Sequence, residues 1–256
     1  MSDQYVLKTL VNAIDVLSIF EEEVELTPSE IEHRVKMNRT NLFRILYTLR
    51  QGGVLECDPE TGKYRIGMKL VHLSSLYLKR LDIRTISHPH LVELRDSLNE
   101  TVHLVVMNNE RATFVDKVES GGELDINMGS YVGWSAPLYC TASGKLLLSF
   151  ESDEKVVQYA STETMKRYTH NTLTTKKEFL DSIAEIRELG YAMDKEEMVE
   201  GLTCISCPIV DENQKVLAAI SVSGATTRMK SKHDFVLTQL FETATKIAEI
   251  KKKIPN

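Results

Sequence analysis

"NRTNLFRILYTLRQGGVLECDPETGKYRIG", residues 38–67, is the stretch on which the fold turns. Leu42, Ile45, Leu46 and Leu49 recur at helical spacing and form a buried stripe, and Gly52–Gly53 stops the helix. Opposite that stripe lie Arg39, Thr40, Asn41, Phe43, Arg44 and Tyr47. Arginine can bond guanine with two hydrogen bonds, asparagine can bond adenine, and threonine can reach a base or a phosphate. A solvated face on an ordinary helix pair fits this helix equally well. The residues after it shift that balance. "VLEC" and "KYRIG" read as two short strands around a turn at Asp58-Pro59-Glu60-Thr61-Gly62. A β-hairpin directly after such a helix is a wing, and Lys63 and Arg65 stand where a wing meets DNA phosphates.

Before the helix, "LTPSEIEHRV" carries Thr27 as cap, Pro28 at the first helical position and Glu30 to complete a capping box. The short helix it starts ends near Val35–Met37, so a tight turn leads into Arg39. That is a helix-turn-helix, whose second helix can lie in a major groove. Further upstream Leu7, Leu10, Ile14 and Leu17 also recur at helical spacing. From Arg34 to Arg65 there are seven basic and three acidic residues, a local +4 inside a chain of net charge -6. The acidity of the chain argues only against indiscriminate polyanion binding, because recognition follows the local field.

Downstream, "GMKLVHLSSLYLKRLDIRTIS" predicts one linker helix with an apolar stripe of Leu70, Leu73, Leu76, Tyr77, Leu81 and Ile83. Its partner is either the same helix of a second subunit or the chain's own C-terminal domain. His88-Pro89-His90 marks the expected boundary, since a residue before proline is pushed out of helical space. The expected domains are thus 1–68, a linker helix over 69–87, and 88–254.

The C-terminal part reads as α+β with an antiparallel sheet. A helix with Leu91, Leu94 and Leu98 precedes strand-like runs "TVHLVVM", "ATFVDKV" and "ELDINM". "APLYCTASGKLLLSF" passes from strand to helix with Thr141 as cap, and "LTCISCPIV" and "KVLAAISVSG" form a hairpin. On the last strand Ser221 and Ser223 share a face, which suits a polar pocket floor or a solvated face. Cys204 and Cys207 have a C-x-x-C spacing, but strand positions three apart point to opposite faces, so no zinc site is expected. His103 stands alone among strand apolars and reads as a buried, satisfied histidine. Asp194 follows a helix end, where a carboxylate more often caps a turn than binds a ligand. No catalytic motif and no cofactor-binding motif occurs, so an enzyme is not expected. An imagined nucleophilic set of Asp194, Cys204 and Ser221 has no histidine placed beside it by the sequence. Four cysteines make no disulfide framework in 256 residues, and no apolar run is long enough to span a membrane, so the reading is a cytoplasmic protein with reduced thiols.

Together the opening stretch, "LNETVHLVVMNNERATFVDKVES", "APLYCTASGKLLLSF", "IRELGYAMDKEEMVEGLTCISCPIVDENQKVLAAISVSG" and Arg228 resemble the IclR family of transcriptional regulators, from about Val6 to Ile250. The resemblance implies a winged helix-turn-helix domain, a linker helix and a GAF-like effector domain. It further implies homodimers or homotetramers on double-stranded operator DNA, and control of a catabolic operon, expected here as repression, by a small effector, commonly a carboxylate. Carried over by position, the effector would meet Thr141 with the amides beside it, and Asp194, Cys204, Ser221 and Ser223. An anion at a helix start agrees with that assignment. The chain departs from the family at Asn38-Arg39-Thr40-Asn41, where Pro-Lys/Ser-Ser/Thr-Thr is usual, at Cys207 in place of a small residue, and at Ala225 in place of proline. Trp134, before the pocket helix, is placed to line or cover the pocket.

Overall fold

The computed structural model describes residues 6–121 and 129–253, and its contacts divide the chain into two units, Met1–Arg80 and Leu81–Asn256. The run "ELDINM" falls at 123–128 and lies outside the described residues.

The first unit holds α1 (Lys8–Ser18), α2 (Pro28–Arg34), α3 (Arg39–Gln51), the hairpin strands β1 (Leu55–Cys57) and β2 (Tyr64–Ile66), and α4 (Met68–Lys79). The capping box forms as the sequence predicts: Thr27 Oγ1 accepts from the Glu30 N–H at 3.3 Å, and the Thr27 N–H donates to Glu30 Oε2 at 2.7 Å. Asn38 caps α3 by accepting from the Asn41 N–H at 2.9 Å. Gly53, at φ 67°, lets the chain turn off α3 in a conformation that an L side chain resists. In the wing turn, Asp58 Oδ1 accepts from the N–H groups of Glu60 and Thr61. Val16, Leu26, Ile31, Leu42, Ile45, Leu46 and Leu55 close over one core. The upstream periodicity has a different meaning. Leu7, Leu10 and Ile14 are 59–67% exposed, and it is Val16 that enters the core.

The helix expected over 69–87 is two helices. α4 ends at Lys79, Leu81 leaves helical space at ψ 85°, and α5 runs from Asp82 to Leu98 with Pro89 inside it. Proline removes one backbone donor and crowds the preceding turn, yet here tertiary contacts hold the helix. Arg84 donates to the Val115 carbonyl and to Asp116, His88 Nδ1 lies 2.7 Å from Asp116 Oδ2, and Leu91, Leu94 and Leu98 are buried. The boundary expected at Pro89 is therefore corrected to a helix break at Arg80–Leu81.

The second unit is built on one six-stranded antiparallel sheet in the order β5-β4-β3-β8-β7-β6. Its strands are β3 (Thr101–Asn108), β4 (Arg111–Val118), β5 (Ser135–Pro137), β6 (Ala192–Lys195), β7 (Leu202–Val210) and β8 (Val216–Ala225). The remaining helices are α6 (Ala142–Ser149), α7 (Asp153–Thr162), α8 (Lys176–Leu189), α9 (Thr226–Ser231) and α10 (His233–Lys252). Val105, Ala192 and Ala219 join α6, α7 and α8 in one core. Leu104, Ile205 and Ile220 take the other face of the sheet, against which α5 and α10 pack.

Glu100, fully buried, ties α9 and α10 to the start of β3. Arg228 binds its two oxygens at 2.7 and 2.9 Å, and Lys232 adds a third contact at 2.9 Å. Burial alone raises its pKa, but these cations outweigh it and hold the carboxyl below its ordinary range. Gly224 makes room for the carboxylate, because a Cβ there would sit 2.3 Å from Glu100 Oε2. Gly224→Ala is expected to destabilise the fold by about 1–3 kcal/mol, as overpacked core sites do. In urea unfolding the midpoint should fall with little change in slope; an unchanged midpoint would mean that the ion cluster moves aside freely.

Candidate functional site

α3 presents the face that the sequence assigns to it. Arg39, Thr40, Asn41 and Arg44 are exposed, and so are Phe43 and Tyr47. Among the described residues neither Arg39 nor Arg44 has an ionic partner. The wing cations differ, because each is paired with a carboxylate. Lys63 Nζ meets Glu25 at 2.6 Å and Arg65 meets Glu56 at 3.3 Å. All four side chains are substantially exposed, and such pairs hold weakly enough to exchange for a phosphate.

In the second unit the strand register brings the sequence-predicted residues together. Asp194 on β6 pairs with Cys204 on β7, and Cys204 with Ser223 on β8. A parallel row carries Ser206, Ser221 and His103 on three adjacent strands. Both rows look at the start of α6. There Thr141 Oγ1 accepts the Gly144 N–H at 3.1 Å, leaving the first N–H groups of the helix open. Thr141, Asp194, Cys204, Ser221 and Ser223 all line one cavity of about 40 Å³. Phe114, Trp134 and Met198 supply its apolar wall, with the two aromatic rings 4.9 Å apart. Trp134 therefore lines the cavity, as expected, whereas Cys207 lies on the opposite face of β7, buried and facing Ile220.

The electrostatics of this cavity favour neutral side chains. Burial, then the nearby Glu197 carboxylate, raises Asp194 to about 7, against a smaller opposing pull from Lys145. Asp194 Oδ1 accepts the Glu197 N–H at 2.7 Å. Burial also pushes the Cys204 thiol far up, and Ser223 donates to its sulfur at 3.1 Å. A thiol held in that state is a poor nucleophile. His103 was not placed here by sequence reasoning, yet it lines the same cavity. Its Nε2 lies 3.1 Å from Ser130 Oγ, while its Nδ1 is buried without a partner among the described residues, so it is only half satisfied. Burial, with Lys117 nearby, lowers it to about 3. A histidine so weakly basic cannot complete a nucleophilic set. Only the register across β3 and β8, opposite Ser221, could have flagged it.

The bacterial transcriptional regulator IclR C-terminal domain matches residues 75–249, and the IclR helix-turn-helix domain matches residues 9–59. The chain belongs to the IclR family. The DNA-binding transcriptional repressor YiaJ of Escherichia coli (strain K12) is 32% identical over 83% of this chain and 76% of its own length. The IclR structure from Thermotoga maritima aligns with 94% of this chain and 98% of that one, at 31% identity and a TM-score of 0.69. An IclR homologue from Microbacterium hydrocarbonoxydans, solved with 4-hydroxybenzoate, shares the fold at a TM-score of 0.80 and 23% identity, covering 94% of this chain and 98% of that one. As an IclR-family member the chain is a DNA-binding transcriptional regulator and not an enzyme, with a helix-turn-helix and an effector domain on an α+β fold. Among the described residues no helix is long and apolar enough to cross a membrane.

Proposed function

We propose that this IclR-family regulator represses a catabolic operon and is controlled by a small organic acid held in the cavity at the start of α6. The observation that carries the reading is the convergence of Asp194, Cys204, Ser221 and Ser223 on open helix N–H groups at Thr141. A helix start favours an anion, and the hydroxyls around it supply further donors. At about 40 Å³ the cavity has room for roughly three waters. That size suits an acid of few carbons; a ring such as the 4-hydroxybenzoate of the Microbacterium protein would require Trp134 or Met198 to move.

In this reading Arg39, Thr40, Asn41 and Arg44 enter the major groove, while Lys63 and Arg65 leave their carboxylates for the flanking phosphates. Winged helices generally act as dimers, whose half-sites lie about 34 Å apart. The acid shifts the populations of two subunit arrangements, and a coupling of about 1–3 kcal/mol changes operator affinity about 5–150-fold. The test is fluorescence anisotropy on the DNA upstream of the protein's own gene, over a salt series, beside an unrelated fragment. Tight, salt-dependent binding of the first DNA that small acids weaken supports the reading. Equal binding of both fragments, unmoved by any acid, overturns it.

The homo-oligomer rests on exposed apolar residues of the first unit. Leu7 and Ile14 are 67% and 61% exposed, and α4 buries none of its residues while exposing Val71, Leu73 and Tyr77. Patches of that kind mark interaction sites, and a second copy of the same unit is the occupant that a two-fold operator requires. Ile14→Glu combined with Tyr77→Glu is expected to lower the mass found by light scattering and to weaken operator binding. An unchanged mass would place the interface elsewhere.

A further inference from the structure

A cleft of about 500 Å³ runs beside β6 and shares no lining residue with the effector cavity. Lys145 and Glu197, with side chains 4% and 8% exposed, pair with one another in its wall. Glu197 Oε1 takes the ammonium, while Oε2 is buried and meets no donor among the described residues. A buried carboxylate oxygen left without a donor is unusual, because its desolvation goes uncompensated. β6 also ends the sheet order, so among the described residues one of its edges is unpaired. The Glu196 N–H donates to the Leu202 carbonyl on the β7 side, and Asn171 Nδ2 donates to the Lys195 carbonyl on the open side. By alternation the backbone N–H and C=O of Met193 also face the open side, at the cleft.

We propose that this cleft binds a neutral, polyhydroxylated small molecule of the monosaccharide class. Lys145 and Glu197 already neutralise each other, and what remains is one acceptor oxygen beside spare ammonium protons. Neighbouring hydroxyls fit that pair once a turn of the Glu197 side chain brings the buried Oε2 to the cleft, since one can then donate to it while the next accepts from Lys145. The charged groups facing the cleft are Lys145 and Lys195 against Glu185 and Glu197, with no net sign to attract an ion. An anion would meet two carboxylates, and a cation two ammonium groups. The Met193 edge supplies one more donor and one more acceptor. Tyr191 and Leu189 offer an apolar wall for the C–H face of a sugar ring.

The test is saturation-transfer NMR on the full-length protein with a mixture of D-glucose, D-xylose, D-ribose, glycine and L-glutamate at millimolar concentration. Transfer to at least one sugar and to neither amino acid is expected, with the signal lost in Glu197→Gln. Because that change touches a buried pair, Leu189→Arg provides a second variant. Leu189 is 48% exposed on the cleft wall, so a larger side chain there blocks the cleft without entering the core. No transfer to any sugar overturns the proposal, and so does transfer to the amino acids instead. A sugar signal that survives both cleft variants but vanishes in Cys204→Ser overturns it as well, by placing the sugar in the effector cavity. These outcomes do not depend on whether a small acid controls operator binding.

Discussion

Arg44→Ala is expected to weaken operator binding by about 1–3 kcal/mol, roughly 5–150-fold, while leaving binding to unrelated DNA nearly unchanged. Leu42, Ile45 and Leu46 are buried, and this turns Arg44 outward on the same face as Thr40 and Tyr47. Residues in the first turns of a recognition helix meet base edges, and a guanidinium can bond guanine with two parallel hydrogen bonds. Among the described residues Arg44 has no carboxylate partner to give up, so the interaction is gained on DNA. Lys63 provides the contrast. It must leave Glu25 before it can reach a phosphate, and a phosphate carries no sequence information. Lys63→Ala should therefore lower affinity for every DNA alike and reduce the salt slope by about one. Anisotropy titrations on both DNAs separate the two cases. An equal loss on operator and unrelated DNA for Arg44→Ala would assign Arg44 to the backbone and leave base reading to Arg39, Thr40 and Asn41.

How much of this was visible in the sequence depends on the distance over which each feature is decided. The Thr27–Glu30 capping box, the α3 stripe and the Asp58 turn are local, and all three form as read. Ser221 and Ser223 share a face because strand alternation is local too. Pro89 misled because its helix is held from outside, by Asp116 on β4 and by the buried Leu91, Leu94 and Leu98. The break at Arg80–Leu81 has no glycine or proline to announce it. Periodicity showed that Leu10 and Ile14 form an apolar face, but not that this face is exposed among the described residues. His103 joined the cavity, and Glu197 found Lys145, through pairings across strands and helices far apart in sequence, which no short window contains.

Small-acid binding is expected to weaken about tenfold per pH unit above about pH 7, and to be nearly flat below it, because Asp194 must be neutral to receive an anion. The sign follows from the cavity. Asp194 is 3% exposed, and burial first, then Glu197, raises it to about 7, with Lys145 opposing. Below that pH its carboxyl is protonated and can donate to a ligand carboxylate held by the α6 N–H groups. Above it two carboxylates share one enclosed space, and the complex recovers the favourable state only by taking up a proton. Binding thus consumes one proton above about pH 7, which fixes the tenfold slope until the pH passes the pKa of Asp194 in the complex. Between about pH 7 and about pH 9 the loss reaches roughly 100-fold. Titration calorimetry in buffers of different ionisation heat measures the affinity and the proton uptake together. The acid's own carboxyl is ionised throughout this window, and His103, at about 3, stays neutral, so neither contributes to the slope. Asp194→Asn keeps a hydrogen-bond donor without a titrating proton and should give a flat profile. A wild-type affinity that does not change with pH, with no proton taken up, would mean that the acid never touches Asp194. The capture of anions by the cavity would then rest on the α6 start and the two serines alone.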